Sequence, residues 1–213
     1  MAKKVSLRKF KKYLRRTFTR RNAILVGIFI LALVVLWAIM HPRNAIAPEA
    51  YNPLLEVIAK GESQGNYNAY FGNVANKEID FTSMTIADVL AWQERFVAEG
   101  KASSAVGRYQ IIRPTLLGLV KELRLTTQEK FDKPLQDKLA ISLMERRGAV
   151  NFVKNKLSAE EFAHQLSKEW AALPKVLGDM PESSYYAGDG LNRSLIDSKT
   201  SLGAVMEFKQ RAN

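Results

Sequence analysis

The stretch Gly61-Glu62-Ser63-Gln64-Gly65-Asn66-Tyr67-Asn68 is the point on which the arrangement of the folded part of this chain depends. A short apolar helical pattern ends at its first residues, and a loop rich in small, aromatic and amide side chains follows. Asn52-Pro53 is a typical N-cap and first helical position, so the sequence predicts a helix from there to about Gly61. Glu62 is therefore expected at the C-terminal end of a helix, where the aligned peptide dipoles disfavour an additional negative charge.

Further apolar patterns predict more helices, separated by glycine and proline signals. Between the first two, Asn66 to Thr82 is rich in Asn, Gly, Tyr and Phe without helical periodicity, and it predicts an irregular β-hairpin or wing. Capping and breaking residues delimit the later helices, which are Thr85 to Gly100, Pro114 to Leu123, Pro134 to Gly148, Ser158 to Pro174 and Ser201 to Arg211. The predicted fold class is mainly α, with an α+β character from the one small β element.

The positive charge of the chain is concentrated at its N-terminus. The net charge of +11 by itself suggests a nucleic-acid partner, but residues 1–21 hold ten Lys and Arg and no acidic residue. The rest of the chain has 22 basic against 21 acidic residues. The folded part is therefore nearly neutral, and no nucleic-acid partner is predicted; the alternative is a basic nucleic-acid arm beside a buried helix.

Residues 23–40 (AILVGIFILALVVLWAIM) form an uncharged apolar run. As a helix the run would span about 27 Å, close to the ~30 Å hydrocarbon core of a bilayer. It exceeds the ~7–15 residues of a signal-peptide apolar region, and Pro48 disfavours cleavage after Ala45-Ile46-Ala47, so we expect a retained signal-anchor. The flanking Lys and Arg residues predict a cytoplasmic N-terminus.

This pattern divides the chain into four parts. We expect a basic cytoplasmic tail (1–22), a transmembrane signal-anchor helix (23–40), a linker (41–51) and one folded domain (52–213). The predicted location is a single-pass protein of the inner, cytoplasmic membrane with a periplasmic domain, which makes the lipid bilayer a partner through residues 23–40.

Three later segments carry a resemblance to a known family. They are Ser104–Ile112 (SAVGRYQII), Leu143–Ala149 (LMERRGA) and Lys168–Pro174 (KEWAALP). In order and spacing they resemble the lambda-phage endolysin family, which are lytic transglycosylases of lysozyme-like fold. The likeness covers roughly Pro53 to Gln210 and leaves the tail and anchor unmatched. It implies a lysozyme-like domain whose partner is the glycan strands of peptidoglycan.

The resemblance places Glu62 on the family's catalytic acid, and the position of this residue favours the same role. Breaking a glycosidic bond requires an acid whose pKa is raised toward the working pH. The helix end and nearby aromatic rings such as Tyr67 and Tyr109 favour the protonated carboxyl group. The alternative is an ordinary solvated surface glutamate.

Two mechanisms remain open for such an acid. A hydrolysing lysozyme usually needs a second carboxylate, and the nearest acids in sequence are Glu78 and Asp80, which no spacing forces into place. A lytic transglycosylase needs only one glutamate, because the C6 hydroxyl of N-acetylmuramic acid (MurNAc) attacks within the same molecule and closes a 1,6-anhydro ring. We expect a lytic transglycosylase that cleaves the β-1,4 bond from MurNAc to N-acetylglucosamine (GlcNAc). The alternatives are a muramidase and a non-catalytic murein-binding subunit.

Substrate contacts are predicted for Ser63, Arg108, Tyr109, Gln110 and Tyr186. The resemblance implies that Ser63 follows the acid in a Glu-Ser motif, and that Gln110 ends a Gly-x-x-Gln motif lining the cleft. Tyr186 lies in the aromatic loop Tyr185–Asn192 and is our choice for the late tyrosine that faces the acid in the wider transglycosylase group.

Alternatives stay open for two of these residues. Arg108 either pairs with a carboxylate of the substrate or forms an internal ion pair with Glu145 or Glu169. Tyr109 either stacks on a sugar or packs inside the domain. A third residue, Trp170, lies on a helical apolar stripe and is expected in the core.

Metal and nucleotide sites are not expected. The chain has two histidines and no cysteine, which leaves a zinc site without ligands, and it has no phosphate-binding loop. No cofactor is predicted. Two biological settings fit, a phage endolysin held by its anchor until lysis and a cellular enzyme that opens the wall for a secretion machine. Membrane-embedded lysis or secretion proteins would then be candidate partners.

Overall fold

The computed structural model describes residues 26–27, 29–33 and 46–213. Two compact units are present, Met1–Ala45 and Ile46–Asn213. In the first unit, residues 26–27 and 29–33 are helical. The second unit begins before the predicted domain start at Asn52, because a 3₁₀-helix, Pro48–Tyr51, buries the side chains of Ala50 and Tyr51 in the core.

The predicted membrane location is contradicted. Within the parts of the chain that the structure describes, no helix is both long and apolar enough to cross a membrane. Apart from residues 26–27 and 29–33, the predicted anchor (23–40) and the whole tail, 1–22, lie outside the described residues. We therefore correct the prediction of a single-pass inner-membrane protein with a periplasmic domain.

The described residues are mainly helical, which confirms that part of the fold prediction. The α-helices are α1 Asn52–Ser63, α2 Ile86–Ala98, α3 Arg113–Glu122, α4 Lys133–Arg146, α5 Ala149–Val153, α6 Ala159–Ser167 and α7 Ser198–Ala212. The capping boxes predicted at Thr85 and Ser158 are both formed. The helix predicted to run to Pro174 ends earlier, at Ser167, and turns follow it.

The predicted β-hairpin wing between Asn66 and Thr82 is not formed. The described residues contain no sheet, and this segment contributes single bridges such as Tyr70 with Asn73 and Tyr70 with Val106. Asparagine side chains hold the segment instead. The Asn66 amide donates to two backbone carbonyls, and the buried Asn76 amide donates to two more, at 2.6 to 3.0 Å. These side chains occupy backbone groups that a strand ladder would use, so the segment folds as a loop.

Helix α1 lies in the core of the second unit and packs against α7, α4 and the first 3₁₀-helix. Leu54 and Ile58 on α1 are fully buried, and the Tyr51 ring lies 4.8 Å from the Phe208 ring of α7. Because α1 is fixed along most of its length, the position of its last turn is fixed as well. That turn carries Glu62.

Candidate active site

Glu62 occupies the last turn of α1, where its side chain is partly buried. Its Oε1 atom accepts a hydrogen bond from the backbone N–H of Ala172 at 3.0 Å. Burial raises the pKa of Glu62 from 4.5 to about 7, and the Ala172 N–H counters part of this rise because it favours the carboxylate. Near neutral pH the carboxyl group is therefore present in both states and is able to give up a proton and take one back.

The close approach of Ala172 depends on a glycine. A Cβ atom added at Gly61 would lie 2.8 Å from the Ala172 Cβ and 3.1 Å from Ile196. Only a residue without a side chain lets the turn after α6 lie against α1 at this point. The same turn is fixed from the other side, because the Ala172 carbonyl accepts hydrogen bonds from the N–H groups of Leu195 and Ile196. The donor that meets Glu62 is thus held in place before any substrate binds.

Ser63 joins the end of α1 to the Gly107–Gln110 segment. Its hydroxyl donates to the backbone carbonyl of Arg108 at 2.7 Å, and the side chain is fully buried. Trp170 holds the next carbonyl of the segment, because its indole N–H donates to Tyr109 at 3.2 Å. Trp170 is also buried, as expected. Segments that lie far apart in the chain therefore meet beside Glu62.

Arg108 forms an internal ion pair, but its partner is neither of the two that were expected. Its guanidinium lies 2.6 Å from the carboxylate of Glu56 and donates to the Tyr67 hydroxyl at 2.8 Å. Glu145 instead accepts from Tyr51, and Glu169 pairs with Arg147. No pattern in the sequence pointed to Glu56, which lies on α1 two turns before the helix end.

Tyr109 packs inside the domain, which settles its alternatives. The side chain is 1% exposed, and its hydroxyl donates to Asp137 at 2.6 Å. Burial raises the pKa of Tyr109, and the Asp137 carboxylate raises it further. A ring with no free face has no surface on which a sugar could stack.

Two residues on α4 were missed by the sequence reasoning, Gln136 and Asp137. The buried Gln136 accepts a hydrogen bond from the Arg108 N–H at 2.9 Å and donates to the carbonyls of Phe131 and Tyr67. Gly107 has a φ of 79°, and an added Cβ would collide with the Gln136 amide oxygen. The available signal was a polar residue one helical turn before Leu139, on the buried face of an apolar helix.

Gln110 and Tyr186 lie near this arrangement but bond to other groups than Glu62. The partly exposed Gln110 has a φ of 46°, and its side-chain amide donates to the Gly107 carbonyl at 2.9 Å. Tyr186 is 40% exposed, and its hydroxyl donates to the Lys168 carbonyl at 2.7 Å. Tyr186 thereby contacts the start of the turn that carries Ala172.

The two candidate second carboxylates lie at the surface. Asp80 caps the 3₁₀-helix Phe81–Ser83, where it accepts hydrogen bonds from the hydroxyl and the N–H of Thr82. These bonds, the hydroxyl first, hold the pKa of Asp80 below its usual value. Glu78 is exposed. The hydrogen bond that Glu62 receives comes from Ala172, and neither acid takes part in it.

A comparison with known protein families gives a match over most of the folded part of the chain. A family model described as Endolysin matches residues 52–187, which is more than half of the chain. The matched region contains Glu62, the Gly107–Gln110 segment, Ala172 and Tyr186. No curated protein and no solved structure gives a significant match to the chain.

Proposed function

The chain belongs to the endolysin family, and from this premise we propose that it is a lytic transglycosylase with Glu62 as its single acid and base. Membership of this family makes the chain a peptidoglycan-cleaving enzyme of glycosidase type. The mechanism, the bond and the residue roles are our proposal. The bond would be the β-1,4 linkage from MurNAc to GlcNAc, and the products would end in 1,6-anhydro-MurNAc.

The observation that carries the proposal is the pKa of Glu62, which burial raises to about 7 beside a fixed backbone donor. In the first half of the reaction the protonated carboxyl transfers its proton to the glycosidic oxygen as the bond to C1 breaks. In the second half the Glu62 carboxylate takes a proton from the C6 hydroxyl, whose oxygen bonds to C1. The proton lost in the first step is recovered in the second, so no water and no cofactor is consumed.

The Ala172 N–H supports the second state of the acid. When Glu62 is a carboxylate it accepts this hydrogen bond, and bonds to an ionised acceptor are stronger than bonds to a neutral one. Burial favours the protonated form of Glu62, and the Ala172 N–H favours its carboxylate form. The balance of the two keeps both states accessible within one catalytic cycle.

The other predicted residues divide into positioning and substrate-binding roles. Ser63 and Arg108 position the acid and the Gly107–Gln110 segment through the bonds described above. Gln110 and Tyr186 are both accessible, and we assign to them contacts with the sugar amide groups. We assign no sugar contact to Tyr109, because its ring is buried.

Product analysis tests the mechanism. The full chain is incubated with purified sacculi, and the released fragments are weighed by mass spectrometry. Transglycosylation gives anhydro ends, lighter by one water than the reducing ends that a muramidase produces. Reducing ends would overturn the proposed mechanism and make Asp80→Asn and Glu78→Gln the next variants to examine.

Substitution of the acid tests the residue. Glu62→Gln keeps the size of the side chain but has no proton to transfer, so release of fragments should stop while binding to sacculi continues. Glu160→Gln makes the same chemical change at an exposed position on α6 and should leave release unchanged. Full activity of Glu62→Gln would remove the catalytic assignment and point to a non-catalytic murein-binding role for this site.

A further inference from the structure

A groove with a volume of about 740 Å³ runs between α1 and α7. Its floor is apolar and made of small side chains, among them Val57 and Ala204. Charged side chains of both signs border it, Glu56 and Lys60 from α1 and Glu207 and Arg211 from α7. The volume lies within the ~300–1,000 Å³ typical of ligand pockets.

The groove lies on the side of α1 opposite to Glu62. At ~3.6 residues per turn, Lys60 is rotated by about 200° from Glu62, and Val57 faces the same way as Lys60. The two faces meet where the helix ends, because Gln64 and Gly65 also line the groove and follow Glu62 directly. Both residues have positive φ, 54° and 83°, which turns the chain sharply at this end.

Some of the charged side chains that border the groove already form ion pairs within the protein, and one does not. Arg211 pairs with Glu207 at 2.6 Å along α7, and Glu56 pairs with Arg108. Among the residues that the structure describes, none forms an ion pair with Lys60. The groove therefore offers Lys60 for a carboxylate, and an ammonium group bound there would share Glu56 and Glu207 with their arginine partners.

We propose that this groove binds the peptide stem of peptidoglycan while the attached glycan lies at Glu62. The inference rests on the proposed function and adds a second binding region to it. A stem peptide carries free carboxylates and an amino group, which match the two signs of charge along the groove. Its methyl and methylene groups match the apolar floor.

The distance from the Glu62 face of α1 to the groove face is comparable to the length of a stem peptide. An extended peptide of four residues reaches up to ~14 Å, and a helix with its side chains is ~10–12 Å across. A stem that leaves the sugar at Glu62 would pass the exposed Gln64 and the partly exposed Gly65 on its way to Lys60. The bound stem would also lie against Glu56, whose partner Arg108 is held by Ser63 beside the acid.

The test compares two substrates cut by the same full-length protein. One is glycan strands with intact stems, and the other is the same strands after an amidase has removed the stems. Lys60→Glu should lower kcat/KM on stem-bearing strands by about three- to fivefold, because the change removes one attraction and adds one repulsion at an exposed site. It should leave cleavage of stem-free strands unchanged.

A steric variant tests the same groove without changing charge. Ala204→Trp fills the floor and should lower cleavage of stem-bearing strands selectively, whereas Gly203→Trp, one residue away with open space around it, should have no selective effect. Lys199→Glu is the matched charge control, because it lies on α7 outside the groove. Should Ala204→Trp fail to fold, Lys60→Glu still decides the question.

The outcomes separate this inference from the proposed function. If the substitutions change cleavage of both substrates equally, or change neither, the stem-binding role of the groove is overturned while the catalytic role of Glu62 stands. If the wild-type protein cuts neither substrate, the proposed function itself has failed. Direct titration of Glu62→Gln with a synthetic stem peptide should show binding that Lys60→Glu weakens, and no binding would also overturn the inference.

Discussion

The Gly107–Gln110 segment and the Tyr185–Asn192 loop were both predicted to contact substrate, yet they are held in opposite ways. The first is bonded to distant elements through its backbone. Its Gly107 N–H donates to Ala69, and its Arg108 N–H and carbonyl bond to α4 and α1. The second is exposed throughout, and Asp189 organises it locally by accepting from the N–H groups of Leu191 and Asn192.

This difference shows how the candidate site separates two tasks. Pre-positioning of an acid needs a framework whose bonds are already made, because misplacement of catalytic groups by about 1 Å lowers rates severely. Contact with a long, variable polymer is better served by an exposed segment that adjusts to it. We therefore expect substitutions in the first region to change stability strongly, and those in the second to change substrate affinity mildly.

The largest effect is expected from Gly107→Ala. An alanine at position 107 would have to adopt a φ of 79°, which is unfavourable for a residue with a side chain, and its Cβ would collide with the buried Gln136 amide. We therefore expect a loss of ~3–4 kcal/mol of unfolding free energy. Gly188→Ala is the matched change in the exposed loop, where φ is 107° but no atom lies within 4 Å. It should cost only ~1 kcal/mol. Urea denaturation of both variants makes the comparison, and equal losses would contradict it.

The second-largest effect is expected from Glu62→Gln, because the buried Glu62 carboxylate lowers the stability of the folded protein. The unfolded pKa of Glu62 is 4.5 and the folded pKa is about 7, so the folded state binds more protons between these values. Stability from this group is fully present below pH 4.5 and is lost as pH rises through 7. Since one pKa unit is ~1.36 kcal/mol, Glu62→Gln should be about 3 kcal/mol more stable than wild type at pH 8.

The same variant should show little gain at pH 4, and thermal unfolding at both pH values measures the difference. A gain of ~2–4 °C in Tm per kcal/mol is expected for a chain of this size. An equal gain at pH 4 and pH 8 would mean that packing, rather than charge, separates the two proteins.

Ser63→Ala should have a smaller effect. The substitution leaves the Arg108 carbonyl without its 2.7 Å donor in a buried place, which costs ~1–3 kcal/mol. Activity should fall as well, because the link between Glu62 and the Gly107–Gln110 segment is loosened. Ser167→Ala is a suitable control, since that buried hydroxyl donates only to the His164 carbonyl of its own helix. A loss of activity in both variants would argue against a specific role for Ser63.

The two regions also differ in what their sequences revealed. The helix that carries Glu62 was predictable from its apolar face and its end, which lie within a dozen residues. The predicted N-cap was wrong, because Asn52 is the first helical residue and no side chain caps this end. The conformation of the Asn66–Thr82 loop was not predictable, because it depends on hydrogen bonds from asparagine side chains to backbone carbonyls. Such bonds leave no periodic pattern in the sequence. The polar contacts of the framework were missed for the same reason. Which carboxylate meets Arg108 depends on how α1 and α4 pack, and sequence spacing does not fix that.

The smallest effect is expected from Tyr186→Phe, a substitution in the exposed Tyr185–Asn192 loop. The hydroxyl donates to the Lys168 carbonyl at the surface, where water replaces it, so stability should change by less than ~1 kcal/mol. KM for glycan strands should rise about two- to threefold with kcat unchanged, because an accessible contact contributes equally to substrate and transition state. A fall in kcat instead would mean that Tyr186 acts on the turn that holds Ala172 against Glu62. The loop would then belong to the catalytic framework, and the division between the two regions would have to be abandoned.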